Sequence, residues 1–99
     1  MNINTKTENK TAIIFIDERL DTLTAPALEA EIKSQADACE KIILDLSALE
    51  YISSAGLRTL VAAHKLMSAK GGFVIKSANK NVMEILNMTN LSSVLNIEA

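Results

Sequence analysis

Two adjacent hydroxyls, Ser53 and Ser54, lie where a run of apolar residues gives way to an amphipathic one, and they are the groups in this chain best placed for chemistry. Ile42-Ile43-Leu44-Asp45-Leu46 before them has the make-up of a buried strand, while Leu57 to Lys70 after them repeats apolar residues at helical spacing. A hydroxyl at such a turn stands beside the unpaired N–H groups of the helix's first turn, where the helix dipole favours an anion. An added phosphate would be electrostatically stabilised there. The chemistry implied is that of a phosphoacceptor: the chain offers an oxygen, and any base, Mg²⁺ and phosphate clamp come from a kinase.

The turn also has a purely structural use. Ser54 as an N-cap would accept a bond from an N–H one or two residues into the helix and contribute roughly 1 kcal/mol. Capping, however, needs one hydroxyl, and the chain supplies two. Gly56 costs about 1 kcal/mol relative to alanine inside a helix, and glycine suits places where another molecule approaches the backbone closely. The turn lies at the carboxyl end of an expected parallel strand, where partners of α/β sheets dock. Leu57 and Arg58 are candidates for partner contact, set against a core role for Leu57 and a solvated charge for Arg58.

The elements that must hold this turn follow from periodicity. Ile3, Thr5 and Thr7 alternate with polar residues, which suggests a half-exposed first strand, and Glu8-Asn9-Lys10 makes a turn. Ala12 to Ile16 reads as a strand buried on both faces, with Asp17 to Asp21 an exposed connection. Thr22 or Thr24 caps a helix with Pro26 in its first turn and Ala25, Leu28, Ile32 and Ala36 on its apolar stripe. In the second helix Leu57, Leu60, Val61 and His64 share one face, while Arg58 and Lys65 face water. Gly71-Gly72 ends that helix, Phe73 to Ile75 is a further buried strand, and Asn79 starts a third helix carrying Val82, Ile85 and Leu86. Asn87 or Asn90 supplies a left-handed helix end, and Leu91, Val94, Leu95 and Ile97 form a final apolar flap. The order ββαβαβα predicts an α/β domain spanning residues 1–99, with a mixed, mostly parallel sheet of four to five strands and three main helices. Three helices cannot cover both faces of such a sheet, so one face stays partly open or another chain covers it.

Composition narrows the functional classes. Net charge is −2 and the ten basic residues are scattered, which leaves no footprint for nucleic acid. Apolar runs of about five residues cannot cross a bilayer, and the N-terminus has no secretion-signal core, so a cytoplasmic protein without membrane insertion is expected. With one histidine and one cysteine, a dedicated transition-metal site is not expected. His64 reads as a buried ring and Cys39 as a small buried filler. Phosphate-cradling glycine loops are missing, and no cofactor is expected. Asp45 ends a buried strand and is placed to bond the N–H groups of the serine turn.

Asp45-Leu46-Ser47-Ala48-Leu49 followed by Tyr51-Ile52-Ser53-Ser54-Ala55-Gly56-Leu57 resembles the signature of the STAS domain family, in particular the bacterial anti-sigma factor antagonists. Arg19-Leu20-Asp21 resembles the family's loop before the first helix, Gly71-Gly72 falls at its break after the second, and Met88-Thr89-Asn90-Leu91 resembles its late T-G-L element with Asn90 for glycine. The resemblance implies a non-enzymatic STAS domain that binds an anti-sigma factor serine kinase when unphosphorylated and so frees a sigma factor. The kinase then phosphorylates a serine of this turn, and a PP2C-type phosphatase reverses the mark.

By family position the acceptor is Ser54, with Ser53 the runner-up, because Ala55 stands where some members carry a second hydroxyl. Asp21, Ser53, Ser54, Ala55, Gly56, Leu57 and Arg58 form the implied partner surface. Where many members have an acid, this chain has Ser53, which leaves Asp21 as the main carboxylate beside the site. The chain is expected to be a monomer or weak dimer. Two other roles fit the same resemblance: a regulatory subunit of a membrane transport system, and a scaffold module of a stress-sensing complex.

Overall fold

Alternation, helical spacing and turn chemistry divide residues 1–98, which the computed structural model describes, into five strands and three helices. Ala99, the last residue of the expected domain, lies outside the described residues. β1 (Ile3–Glu8) and β2 (Thr11–Leu20) form an antiparallel hairpin. Its two-residue loop places Asn9 at φ 49° and Lys10 at φ 62°, the pair of left-handed residues whose twist matches that of the strands. Then come α1 (Ala25–Ala38), β3 (Lys41–Ile52), α2 (Ser54–Ser68), β4 (Phe73–Lys76), α3 (Lys80–Met88), a 3₁₀ turn at Leu91–Ser93, and β5 (Asn96–Glu98). The sheet order is β1-β2-β3-β4-β5, with β2 to β5 all parallel.

That order explains the layering. Each of the three crossovers moves one strand further in the same direction. Right-handed connections therefore lay α1, α2 and α3 on one face of the sheet. Ala12, Ile14 and Ile16 of β2, Ile42, Leu44 and Leu46 of β3, and Phe73 and Ile75 of β4 are buried under them. Leu28 and Ile32 from α1, Leu60 and Met67 from α2, and Val82 and Leu86 from α3 fill the space above. Each such side chain contributes roughly 1.5–3 kcal/mol by leaving water.

Several boundaries differ from the expectation. β2 and β3 are not buried on both faces: they alternate, with Ile13, Phe15 and Ile43 only half-buried on the side away from the helices, whereas in β4 Phe73, Val74 and Ile75 are all buried, as expected. β2 does not end at Ile16 but runs to Leu20, because Asp17 to Leu20 pair through their backbones with Ala48 to Ile52 of β3. A register shift near Glu18, whose φ is 59°, bends this polar end. The final flap contains a strand, β5, paired with β4 through Asn96 to Glu98. On α2 the buried line is Gly56, Leu57, Leu60, Ala63 and Met67, so Val61 and His64 lie at its margin rather than on it.

Local punctuation behaves as its chemistry requires. Asn90 takes the left-handed conformation at φ 61°, and Gly72 turns the chain into β4 at φ 104°. Lys70, from the turn after α2, donates to the carbonyls of Ala36 and Cys39 at the end of α1, where a cation is favoured. Asn79 caps α3 through Oδ1, which accepts the Val82 N–H at 2.9 Å, and its Nδ2 donates to Leu49 O at 2.6 Å. It thereby ties α3 to β3. Asn79→Ala should cost about 1–2 kcal/mol, read as a lower urea midpoint at unchanged slope.

Candidate functional site

The serine turn is built where β3 ends and α2 begins, and the first constraint on it is the chain direction. Ser53 is extended (φ −97°, ψ 176°), and α2 starts at Ser54. Ser53, not Ser54, is therefore the N-cap: its Oγ accepts the Gly56 N–H at 3.4 Å. Its own N–H donates to Leu20 O at 2.9 Å, which ties the turn to the end of β2. Ser54 occupies the first helical position and is exposed. The doubled serines thus divide into one that shapes the turn and one that faces outward.

Gly56 has a different reason from the one expected. It is buried, and a Cβ there would come within 2.8 Å of Ile52 Cγ1 and Leu20 Cγ and 2.9 Å of Leu20 O. The missing side chain lets α2 sit down on the ends of its own strands, so no room is left for a partner above it. Leu57, 9% exposed, joins the core, while Arg58 faces solvent and Ala55 is half-buried. Thr59 is buried and donates back to Ala55 O at 3.2 Å.

Asp21 comes next to the turn through Leu20, the residue before it. Its Oδ1 accepts the N–H groups of Leu23 at 3.0 Å and Thr24 at 3.2 Å in the turn ahead of α1, whose N-cap residue Thr24 makes no side-chain cap bond. Thr24 Oγ1 instead accepts the Asp21 N–H at 2.9 Å and donates to Arg19 O at 2.9 Å. Arg19 Nε approaches Asp21 Oδ2 at 3.5 Å. Partial burial pushes the Asp21 pKa up, but the Thr24 and Leu23 N–H groups outweigh it and hold the carboxyl below its ordinary value of 3.8. Asp21 is thus engaged in shaping the loop. Asp45 does not reach the serine turn; its Oδ1 accepts the Ser47 N–H at 2.9 Å.

Around the turn the surface holds features that the sequence reading passed over. Thr22, Pro26, Glu29, Ala55, Arg58 and Ala62 line a shallow groove between the starts of α1 and α2. A second, more apolar groove of about 470 Å³ runs along α2 between Leu57, Val61, Lys65 and Leu91. Arg58 separates the two. Leu23 is 89% exposed at the tip of the Asp21 loop, and Arg19 stacks on Tyr51 at 4.5 Å. Leu23 was visible as an apolar residue between two threonines; the Arg19–Tyr51 pair needs the β2–β3 register. No group of side chains among the described residues has the make-up of a metal site. No described helix is long and apolar enough to cross a membrane.

The STAS domain model matches residues 2–99. A relative described as the anti-sigma factor antagonist BtrV of Bordetella bronchiseptica is 36% identical over 77 residues, which cover 76% of this chain and 66% of its own length. A crystal structure described as an anti-sigma factor antagonist from Thermotoga maritima is 28% identical, with a TM-score of 0.87 over 96% of this chain and 84% of the other. The phosphorylated form of the Bacillus cell fate determinant SpoIIAA superposes with a TM-score of 0.76 over 99% of this chain and 92% of its own; at 15% identity that likeness concerns the fold.

Two outcomes follow from the turn's geometry. Gly56→Ala should destabilise the fold by about 1–3 kcal/mol by denaturant unfolding, although alanine is the better helix former, because Leu20 O is backbone and cannot swing aside. The lowered pKa of Asp21 means that its carboxylate stabilises the loop above an ordinary carboxylate's pKa and loses that effect as pH falls through the lower folded value. An NMR titration should show the Leu23 and Thr24 amides moving together below about pH 4, a change that Asp21→Asn removes.

Proposed function

Since this chain belongs to the STAS domain family, we propose that it is an anti-sigma factor antagonist switched by phosphorylation of Ser54. The observation that carries the reading is the division of labour in the serine turn: Ser53 spends its oxygen on the cap, and Ser54 is exposed at the first helical position. Relatives described as anti-sigma factor antagonists support the class of partner. In the unphosphorylated state Ser54, Ala55 and Arg58, with the groove beside Leu57 and the Asp21 loop, dock on an anti-sigma factor serine kinase. The kinase releases its sigma factor in exchange. This exchange belongs in the cytoplasm, where transcription is controlled.

The kinase then transfers a phosphoryl group to Ser54 Oγ. A phosphoserine adds about −1.5 to −2 charges and three strong acceptors. The start of α2 tolerates that anion, because its N–H groups and dipole favour negative charge. Arg58 lies one helical turn on, on the same face, and is drawn to it. The partner, fitted to a small hydroxyl and a free Arg58, meets bulk, a desolvation cost and a neutralised cation. A loss of about 2.8 kcal/mol weakens the complex roughly a hundredfold. A PP2C-type phosphatase restores the hydroxyl.

The test is phosphosite mapping by intact mass on protein recovered from its own cells, with and without phosphatase. A single phosphate should map to Ser54, persist in Ser53→Ala and vanish in Ser54→Ala. Ser53→Ala should meanwhile cost about 0.5–2 kcal/mol of stability, and Ser54→Ala less than about 0.5 kcal/mol. Ser54→Asp should bind the co-purified kinase far more weakly than Ser54→Ala. A chain unmodified in every growth condition, with the two variants binding equally, would sink the switch and favour the transport-subunit or scaffold role.

A further inference from the structure

The helix-free face of the sheet carries charge and apolar side chains in a pattern that complements itself. On β3, Lys41, Ile43 and Asp45 occupy that face in succession: cation, apolar, anion. Ile43 is flanked in register by Ile13 of β2 and Val74 of β4, and Phe15 of β2 stands beside Asp45. Ile13, Phe15, Ile43 and Val74 lie outside the cluster packed under the helices. They form a separate apolar strip that no helix covers, with Val74 8% exposed and the other three half-buried, and at its β1 edge Lys6 Nζ lies 5.8 Å from the centre of the Phe15 ring.

From this arrangement we infer that the open face binds a second copy of this chain, sheet against sheet, about a twofold axis running across the strands. That axis reverses β3 on its copy, so Lys41 of each chain lies over Asp45 of the other, with Ile43 against Ile43 at the centre. Ile13 and Val74 meet their counterparts in the same row, at whose exposed β1 end Lys6 also faces its counterpart. An axis along the strands would instead stack Lys41 on Lys41 and Asp45 on Asp45 at the centre of the face, which like-charge repulsion disfavours more. Sheets packed face to face keep their strands within about 30° of each other, which preserves these pairings. Five strands about 4.8 Å apart and three rows of side chains give a face of roughly 24 by 20 Å, so the interface lies near the low end for specific complexes. The dimer is accordingly weak, with a Kd of about 10–100 µM. Ser54 and α2 lie on the other side of the sheet, so both serine turns of the dimer stay accessible.

Sedimentation of the unmodified chain from about 5 µM to 1 mM, a range bracketing that Kd, tests the inference without any kinase. A concentration-dependent dimer is expected, and Ile43→Lys should raise its Kd at least about tenfold under conditions where circular dichroism shows the variant folded. Lys41→Asp and Asp45→Lys should each weaken self-association, and mixing the two variants should restore it as a heterodimer, since positions 41 and 45 then oppose with unlike charge. If Ile43→Lys fails to fold, the mixing experiment carries the test, because Lys41 and Asp45 are both partly exposed. A chain that stays monomeric throughout, a dimer indifferent to Ile43→Lys, or a mixture no tighter than its components would overturn it.

Discussion

The carbonyl of Leu20 is the point on which the rest of this molecule's working end depends. It accepts the Ser53 N–H at 2.9 Å, and it stands 2.9 Å from the place where any side chain on Gly56 would begin. The first contact joins the end of β2 to the end of β3; the second lets α2 descend onto both. The Asp21 loop starts at the very next residue, so the same carbonyl sets the spacing between that loop and the serine turn. If α2 stood off by the width of a methyl group, the cap, the loop and the groove between α1 and α2 would all move together. Tight packing of this kind transmits small displacements rather than absorbing them.

The two serines divide between one that shapes the turn and one that faces outward. A hydroxyl that closes a turn cannot change its chemistry without opening the turn. By capping with Ser53, the chain leaves Ser54 at a position where charge is welcome and where nothing structural hangs on the oxygen. Asp21 is constrained in the same way as Ser53. Its oxygen holds two backbone N–H groups, which fixes the turn carrying Leu23, while the β2–β3 register sets the Arg19–Tyr51 stack beside it. The rim is therefore made by residues whose polar groups are already satisfied within the chain. Ser54 and Arg58 are exposed beside it.

Topology then assigns the two sides of the sheet different tasks. Successive crossovers that always step the same way put every helix on one face. The helix side gains the core, the serine turn and both grooves. The bare side keeps a short apolar strip framed by Lys41 and Asp45. Contact on one side leaves the other unobstructed.

Much of this was legible in the residues alone, and the reasons are local. Period-two and helical spacing identified the strand cores and all three helices, because side-chain direction is set within a few residues. Asn79 as a cap, a left-handed end at Asn87 or Asn90, of which the structure takes Asn90, and Gly72 as a turn follow from what those residues do to their own backbone. The strand-to-helix turn at Ser53-Ser54 was equally plain. The outer half of the long strands was not: Asp17 to Arg19 and Ser47 to Tyr51 are polar or mixed, and they are strand only because their backbones pair across the sheet. Nor was the identity of the capping serine, which depends on the angle at which the chain enters α2, or the true reason for Gly56, which lies in Leu20 and Ile52. Those were decided by register, crossover direction and close approach, which bring together residues far apart in the chain, and no local pattern encodes them.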